Sequence, residues 1–307
     1  MTVLTVGETM ALLAAVEEGE LRLGMPLTLR FAGAESNFAI GLARLGVDVA
    51  WVSRLGRDPF GDLIELGLAH EGIDLRWVRR DDAPTGLFWK WRIGGRSSVL
   101  YRRAGSAASR LRTDDVPDEA LDGVRVVHLT GITMAISESA RELVLDLAGR
   151  ARERGAYVLF DPNFRPALPD TPAAAAARQR AVLPYVDWYL CGEMEAQLLW
   201  PDGEIPVRTV IRVGDRGAIV DGVEVAPPRT VAVVDEVGAG DAFAAGFAYG
   251  LLQGWAPPAC ARAGHVIAAC ALAGTGDWET LPRLAEVSEL LASGREGNPR
   301  HEDGTRD

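Results

Sequence analysis

The chain is 307 residues long, carries a formal net charge of −11, and is 48% hydrophobic and 24% charged. These values fit a globular chain with a large buried core, and the negative surplus excludes nucleic acid, whose phosphates it would repel. A small anionic substrate stays open, because a few local arginines override the global field. Cys191, Cys260 and Cys270 form no Cys-x-x-Cys pair, so reduced thiols in a cytoplasmic setting are expected. The N-terminal MTVLTVGETMALLAAV lacks a basic leader and is interrupted by Gly7 and Glu8, which reads as a first core strand rather than a signal peptide. The apolar region 242–273 is broken by Gln253, Pro257, Pro258 and Arg262, so no membrane span is expected.

In chain order, the first strand is followed by SNFAIGLARLG (36–46), a helix closed by Gly46. VDVAWVSRLG (47–56) reads as a strand and DPFGDLIELGLAHEG (58–72) as a helix. A second round opens with strand VRVVHLTG (124–131) and a helix starting at Ser139, which has capping-box spacing to Glu142 and runs to Gly155. Strand AYVLFDPN (156–163) precedes a helix opened by Thr171-Pro172, with proline in its favoured first turn. Strand DWYLCG, helix EMEAQLLW and strand TVIRVG continue the alternation. Strands alternating with helices over most of a chain predict an α/β fold, a mostly parallel sheet covered on both faces.

Two segments break that rhythm. GLFWKWRIGGRSSVLYRR (86–103) has no helix period and reads as two strands joined at Gly94-Gly95. Residues 11–31 are strand-like as well. Together they predict a small β-sheet growing out of the body, a lid formed by segments near 11–31 and 84–107. The expected domain covers 1–293, and 294–307, without an apolar period, is expected to be a disordered tail.

The stretch VVDEVGAGDAFAAGF (233–247) places Gly238, Ala239, Gly240 and Asp241 where a strand is expected to hand over to a helix. Unpaired N–H groups and the helix dipole make such a terminus an anion site, and glycines let a phosphate approach. A carboxylate beside it suits a transient anion: it takes a proton from an attacking hydroxyl while the amides hold a transferring phosphoryl group. The bland reading is a tight turn with an aspartate favoured by the dipole, and the residues alone leave both open. A dinucleotide fingerprint fails at Phe243, and a P-loop fails because Lys90, the only lysine, lies in the lid segment.

The same stretch resembles the D-T-x-G-A-G-D-x-F signature of the ribokinase-like (PfkB) carbohydrate kinases. AGAESNFAIGLARLG is similar to that family's G-G-A-x-x-N segment, RLGRDPFGD to its G-x-D-x-x-G, and IRVGDRGA to its K-x-G-x-x-G-A, with Arg212 at the lysine. The resemblance runs through nearly the whole chain. It implies a ribokinase-like three-layer α/β/α fold, Asp241 as catalytic base, an anion hole of Gly238, Ala239 and Gly240, and ATP with Mg²⁺ as donor. It places Asn37 on the sugar side and Arg212, Gly214 and Gly217 on the nucleotide side. The family's Asn-x-x-Glu metal motif lines up with GEME (192–195), which keeps Glu195 but has Gly192 at the asparagine. Glu195 then acts on magnesium through water; otherwise it is an exposed helix glutamate. His265 falls near the adenine position, with a helix-surface histidine as the plain alternative.

A sugar acid adds a carboxylate to a sugar, and the planar fork of arginine is its natural partner. VLYRRAGSAAS resembles the Y-Y-R-x-G-S-A segment of 2-keto-3-deoxygluconate kinases, with Tyr101 and Arg103 as substrate contacts; FDPNFRPAL resembles their D-x-N-x-R-x-x-L, with Arg165 facing the sugar acid. As isolated residues both arginines read more readily as surface charges; it is the resemblance that makes them substrate contacts. Gly33 carries a close backbone contact to substrate, and Phe88 stands where those enzymes have a tyrosine. Alternation puts Phe88 on the lid face opposite Trp89 and Trp91. The implied activity is ATP-dependent conversion of 2-keto-3-deoxygluconate to its 6-phosphate. Another ketose, 2-keto-3-deoxygalactonate, or sugar-acid binding without catalysis are the alternatives. Apolar lid residues and the family's habit of pairing lids imply a homo-oligomer.

Overall fold

The computed structural model describes residues 1–165, 170–228 and 231–295. Its first part comprises β1 (Val3–Val6), β2 (Met10–Ala15), β3 (Leu27–Ala32), α1 (Ala34–Arg44), β4 (Val49–Gly56), α2 (Pro59–His70), β5 (Val78–Asp81), β6 (Leu87–Ile93) and β7 (Arg96–Arg102). The middle comprises β8 (Val126–Thr130), α3 (Gly131–Ile136), α4 (Glu138–Glu153), β9 (Tyr157–Asp161), α5 (Pro172–Arg180), β10 (Trp188–Gly192) and α6 (Glu193–Leu199). β11 (Thr209–Arg212), β12 (Ala218–Val220), β13 (Val223–Val225), α7 (Ala239–Leu252), α8 (Pro257–Leu272) and α9 (Leu284–Arg295) complete it.

Nine strands form one sheet in the order β13-β12-β11-β10-β9-β8-β1-β4-β5. Pairing is parallel from β11 to β5 and antiparallel at β11–β12–β13. Strands β1, β4 and β8 are buried along their whole length, the mark of a parallel sheet covered on both faces. One core packs Phe38, Trp51, Leu68, Phe243, Phe247 and Val266 on one side of the sheet. The other packs Leu143, Leu147, Phe160, Tyr189 and Trp200 on the opposite side. The result is the expected three-layer α/β/α body. The chain leaves β1 for β4 on one side and returns to β8 on the other, which opens a crevice at the carboxyl ends of these strands.

The second sheet has four strands in the order β3-β2-β6-β7, with β2–β6 parallel and the outer pairs antiparallel. The β6–β7 turn is Gly94-Gly95, with φ of +55° and +78°, the two left-handed residues that a tight hairpin between twisted strands needs. Register pairs Phe88 with Leu12 and Tyr101, and Trp89 with Leu13 and Leu100, so Phe88 and Trp89 do lie on opposite faces.

Three expectations are corrected. The α4 cap is Ser137, not Ser139: Ser137 has extended backbone and its side chain accepts from the Ala140 N–H. The preceding α3, a short helix over Gly131–Ile136, sets that entry point. Among the described residues no strand runs directly into Gly238. The Val234 N–H bonds to the Leu272 carbonyl at the end of α8, so this segment finds its partner on a helix end rather than in a ladder, and Val233, Val234 and Val237 stay exposed. Finally, α9 continues to Arg295; of the stretch read as a tail, residues 296–307 lie outside the described residues. Among the described residues no helix is long and apolar enough to cross a membrane. The cap assignment predicts that Ser137→Ala lowers stability by about 1 kcal/mol and Ser139→Ala by roughly a few tenths, which urea denaturation of the two variants checks.

Candidate active site

Asp241 lies in the first turn of α7 and is buried. Its carboxylate accepts from Asn37 Nδ2 at 2.8 Å and from Asn163 Nδ2 at 3.2 Å. Asn37 comes from α1 and Asn163 from the loop after β9, so the site forms where the two halves of the sheet meet. Asn163 is held at φ +40°, a costly region for a non-glycine residue, and functional sites commonly carry such strain. Burial pushes the Asp241 carboxyl up to about 7; the Asn37 hydrogen bond and the Arg165 charge pull it down, while Asp161 and Glu35 push it up.

Gly238 caps α7 at φ +76°, and a Cβ there would lie 1.9 Å from the Asp277 carbonyl oxygen. Shape therefore dictates glycine at 238. At Gly240 the reverse holds: a Cβ would meet only the Arg212 guanidinium, at an ordinary 3.6 Å. Packing therefore does not demand glycine at 240, and its bare backbone leaves the helix start open to close approach. The Ala242 N–H bonds to the Gly238 carbonyl and opens the helical ladder; the amides of Gly240 and Asp241 precede it at the positive end of a 14-residue helix.

Beneath this turn lies a network anchored by Arg212 at the end of β11. Its Nη1 is 2.9 Å from Asp161 Oδ2 and its Nη2 is 3.5 Å from Glu195 Oε2. The Asp161 Oδ1 atom accepts the Asn163 N–H at 2.8 Å, which steers Asn163 toward Asp241. Glu195 is not a free surface glutamate: it accepts the Gly192 and Phe164 N–H groups, each at 2.8 Å. Burial raises its pKa and the Asp161 charge adds to that, against the pull of Arg212 and the two N–H groups. Among the described residues no group of three or more His, Cys, Asp or Glu side chains makes a ready metal cage. Gly214 and Gly217 shape the turn after β11. His265 on α8 packs edge-on against Phe243, with ring centroids 5.1 Å apart, and its Nε2 is buried without a hydrogen bond. Burial and the Arg212 charge hold its pKa down to about 4, so the ring is neutral.

In the residues that follow β7, Arg103 is 2.6 Å from Glu8 Oε2, and Glu8 also accepts from Ser106 Oγ at 2.5 Å. The Arg103 Nε is buried without a hydrogen-bond partner, so the guanidinium keeps a donor to offer after pairing. Tyr101 stacks on Phe88 at 5.6 Å, and the Arg103 guanidinium lies 5.9 Å from the Tyr101 ring. Gly33 precedes α1; a Cβ there would lie 2.3 Å from the Glu8 carbonyl oxygen. Arg165 is exposed, and its charge is felt at both Asp241 and Asp277.

Sequence reasoning missed Glu8, Asp161, Asn163 and Asp277. Asp161 and Asn163 stood inside the FDPNFR stretch beside the arginine that drew attention. Asp277 had no motif to flag it: it is buried, its Oδ2 has no hydrogen-bond partner, and its pKa is raised to about 6, by burial above all.

The comparisons with known proteins give the family. The pfkB family carbohydrate kinase profile matches residues 2–284. The 2-dehydro-3-deoxygluconokinase of Bacillus subtilis (strain 168) is 32% identical, with 95% of both chains covered. The Thermoproteus tenax enzyme of the same name is 35% identical, covering 95% of this chain and 94% of its own. The structure of an uncharacterized sugar kinase from Pyrococcus horikoshii in complex with ATP superposes with a TM-score of 0.84 at 26% identity, over 95% of this chain and 99% of that one. A buried carboxylate at the amide-lined start of α7, on this sheet and with these relatives, has one reading: the chain belongs to the pfkB family of carbohydrate kinases.

Proposed function

We propose that the protein transfers the γ-phosphoryl group of ATP to the terminal hydroxyl of 2-keto-3-deoxygluconate (2-dehydro-3-deoxygluconate), giving the 6-phosphate. The observation that carries this is a buried aspartate with a pKa near 7 at the start of α7 that feels the charge of Arg165, in a molecule that also holds Arg103 on the buried Glu8. Asp241 accepts the hydroxyl proton as the oxygen attacks phosphorus. The amides of Gly238, Ala239 and Gly240 hold the charge that develops on the transferring group. Arg165 and the donors left on Arg103 take the carboxylate, with Tyr101 and Phe88 lining the pocket and Gly33 and Asn37 at its floor. Arg212, Gly214, Gly217 and His265 form the nucleotide side.

Magnesium fits as a hydrated ion rather than a caged one. Both Glu195 oxygens already accept backbone N–H groups, and Mg²⁺ in such sites keeps waters and leans on phosphate oxygens. Glu195 would hold it through water, and with ATP the ion would supply positive charge against that of the phosphates. The small sheet, from segments near 11–31 and 84–107, serves as a lid on the 1–293 unit and excludes water from the transfer. The thiols of Cys191, Cys260 and Cys270 suit a reducing, cytoplasmic setting.

Three expected outcomes test this reading. With MgATP, ADP release should be strong with 2-keto-3-deoxygluconate or 2-keto-3-deoxygalactonate and weak with fructose and ribose, and Arg165→Ala should raise KM for the acid far more than KM for ATP. Activity confined to a neutral sugar would remove both arginines as carboxylate ligands. The second outcome concerns pH. A base raised to about 7 is protonated and idle below that value, so kcat/KM for the acceptor should climb about tenfold per unit up to pH 7 and then level. Asp241→Asn should lose this limb and about 10²- to 10⁴-fold in rate; a variant retaining a tenth of the activity would end the base assignment. Third, the outer lid face carries exposed Leu27, Leu29 and Leu100 beside Trp89 and Trp91, which supports a homo-oligomer paired through that face. Light scattering should give at least twice the monomer mass, and Leu29→Asp should return the protein to monomer.

A further inference from the structure

Lys90 is the only lysine in a chain whose lysines and arginines total 32. It sits on β6, on the face shared by Leu12, Phe88 and Tyr101. Its Nζ is 2.8 Å from Asp235 Oδ2, a residue 145 positions later in the chain. The two side chains are only 12% and 17% exposed, so the pair is largely removed from water and poorly screened by salt. Asp235 also accepts from the Val237 N–H with its other oxygen, at 3.3 Å, and Gly238 follows directly.

Among the described residues the segment leading to Gly238 joins no strand, its valines are exposed, and the Val234 N–H reaches the Leu272 carbonyl. Across the small sheet, β3 is held to the body differently: Trp278 Nε1 donates to the Phe31 carbonyl at 2.9 Å, and Arg30 pairs with Glu279 at 3.0 Å. That second attachment belongs to the loop of Asp277, whose carbonyl packs against Gly238. The Lys90 charge reaches Asp277 as well, lowering a pKa that burial raises. The anion hole is thus approached from both sides by loops tied to the small sheet.

We propose that Lys90 is a positioning residue for phosphoryl transfer: its ion pair with Asp235 fastens lid strand β6 to the segment that enters the anion hole, so that a sugar seated under the lid fixes the placement of Gly238–Gly240. This rests on the kinase reading above. Its consequence is that acceptor binding and donor alignment are one event, and ATP is aligned for transfer only beneath a filled lid. Coupling of this kind between sites typically amounts to about 5- to 150-fold.

Because Lys90 is the single side-chain amine, acetylation by acetic anhydride, followed by peptide mass spectrometry, reads the pair directly. Acetylation of Lys90 should be about tenfold faster in Asp235→Asn than in the wild type, and 2-keto-3-deoxygluconate with a non-hydrolysable ATP analogue should slow it about tenfold in the wild type but not in the variant. Lys90→Met should lower kcat/KM for the acceptor about tenfold and raise ATP hydrolysis without acceptor, Lys90→Arg should recover both, and the Lys90→Met/Asp235→Asn double variant should be no worse than Lys90→Met alone. Equal acetylation rates in the wild type and Asp235→Asn would overturn the proposal, as would losses that multiply in the double variant. The acetylation comparison between the two proteins needs no turnover, so it decides the pair even if the acceptor panel overturns the sugar-acid reading.

Discussion

A buried carboxylate at a helix start needs donors, and meeting that need organises this molecule. Asp241 finds them in Asn37 and Asn163, which lie 204 and 78 residues away along the chain. Satisfying it requires α1, the loop after β9 and the start of α7 to converge at the crevice beside β1. The convergence also leaves Asp241 buried enough for its pKa to approach neutrality while two neutral amides, rather than a permanent cation, hold it in place. A neutral clasp orients the carboxylate without pinning it in its charged form, which is what a proton acceptor at neutral pH requires.

Arg212 performs the complementary task one layer below. Its guanidinium spans Asp161 and Glu195 and lies against the ring of Phe243 at 5.9 Å. A planar fork with several donors can serve two carboxylates at once, where an ammonium acts as a point charge. Through Asp161 the arrangement reaches Asn163, and through Glu195 it reaches the backbone at Gly192 and Phe164. Arg212, Asp161, Glu195 and Asn163 are therefore linked, and the positive charge of Arg212 lies close to Gly240.

Around Arg103 the same economy appears. Glu8 fixes Arg103 from behind while Ser106 occupies the other carboxylate oxygen. An arginine held by a buried partner is oriented before a ligand arrives, which reduces the ordering cost of binding. Arg165, exposed and beside a strained asparagine, is the freer of the two cations.

Much of the fold was legible in the sequence. Alternating apolar strands and helices announced the parallel sheet, Gly94-Gly95 announced the hairpin, and Thr171-Pro172 announced α5, because those features are set by local sterics and periodicity. The motif words GAGD and AGAESN marked the helix starts that meet at Asp241. What stayed hidden depends on contacts distant in the chain. VVDEV has the composition of a strand, yet no neighbour offers it a ladder. Ser139 has capping spacing, yet the chain turns at Ser137. Glu195 read equally as a magnesium-side residue and as a surface glutamate, and only the fold shows the Phe164 and Gly192 amides that hold it; Asp277, in a stretch with no motif, is defined wholly by what surrounds it. The sequence by itself determined the order of the elements and the residue types available at the sheet's carboxyl edge, since both follow from local geometry and chemistry. Only the tertiary structure decided which of those residues face one another and how far burial shifts their charge, because desolvation and pairing are properties of neighbours that the chain brings together only on folding.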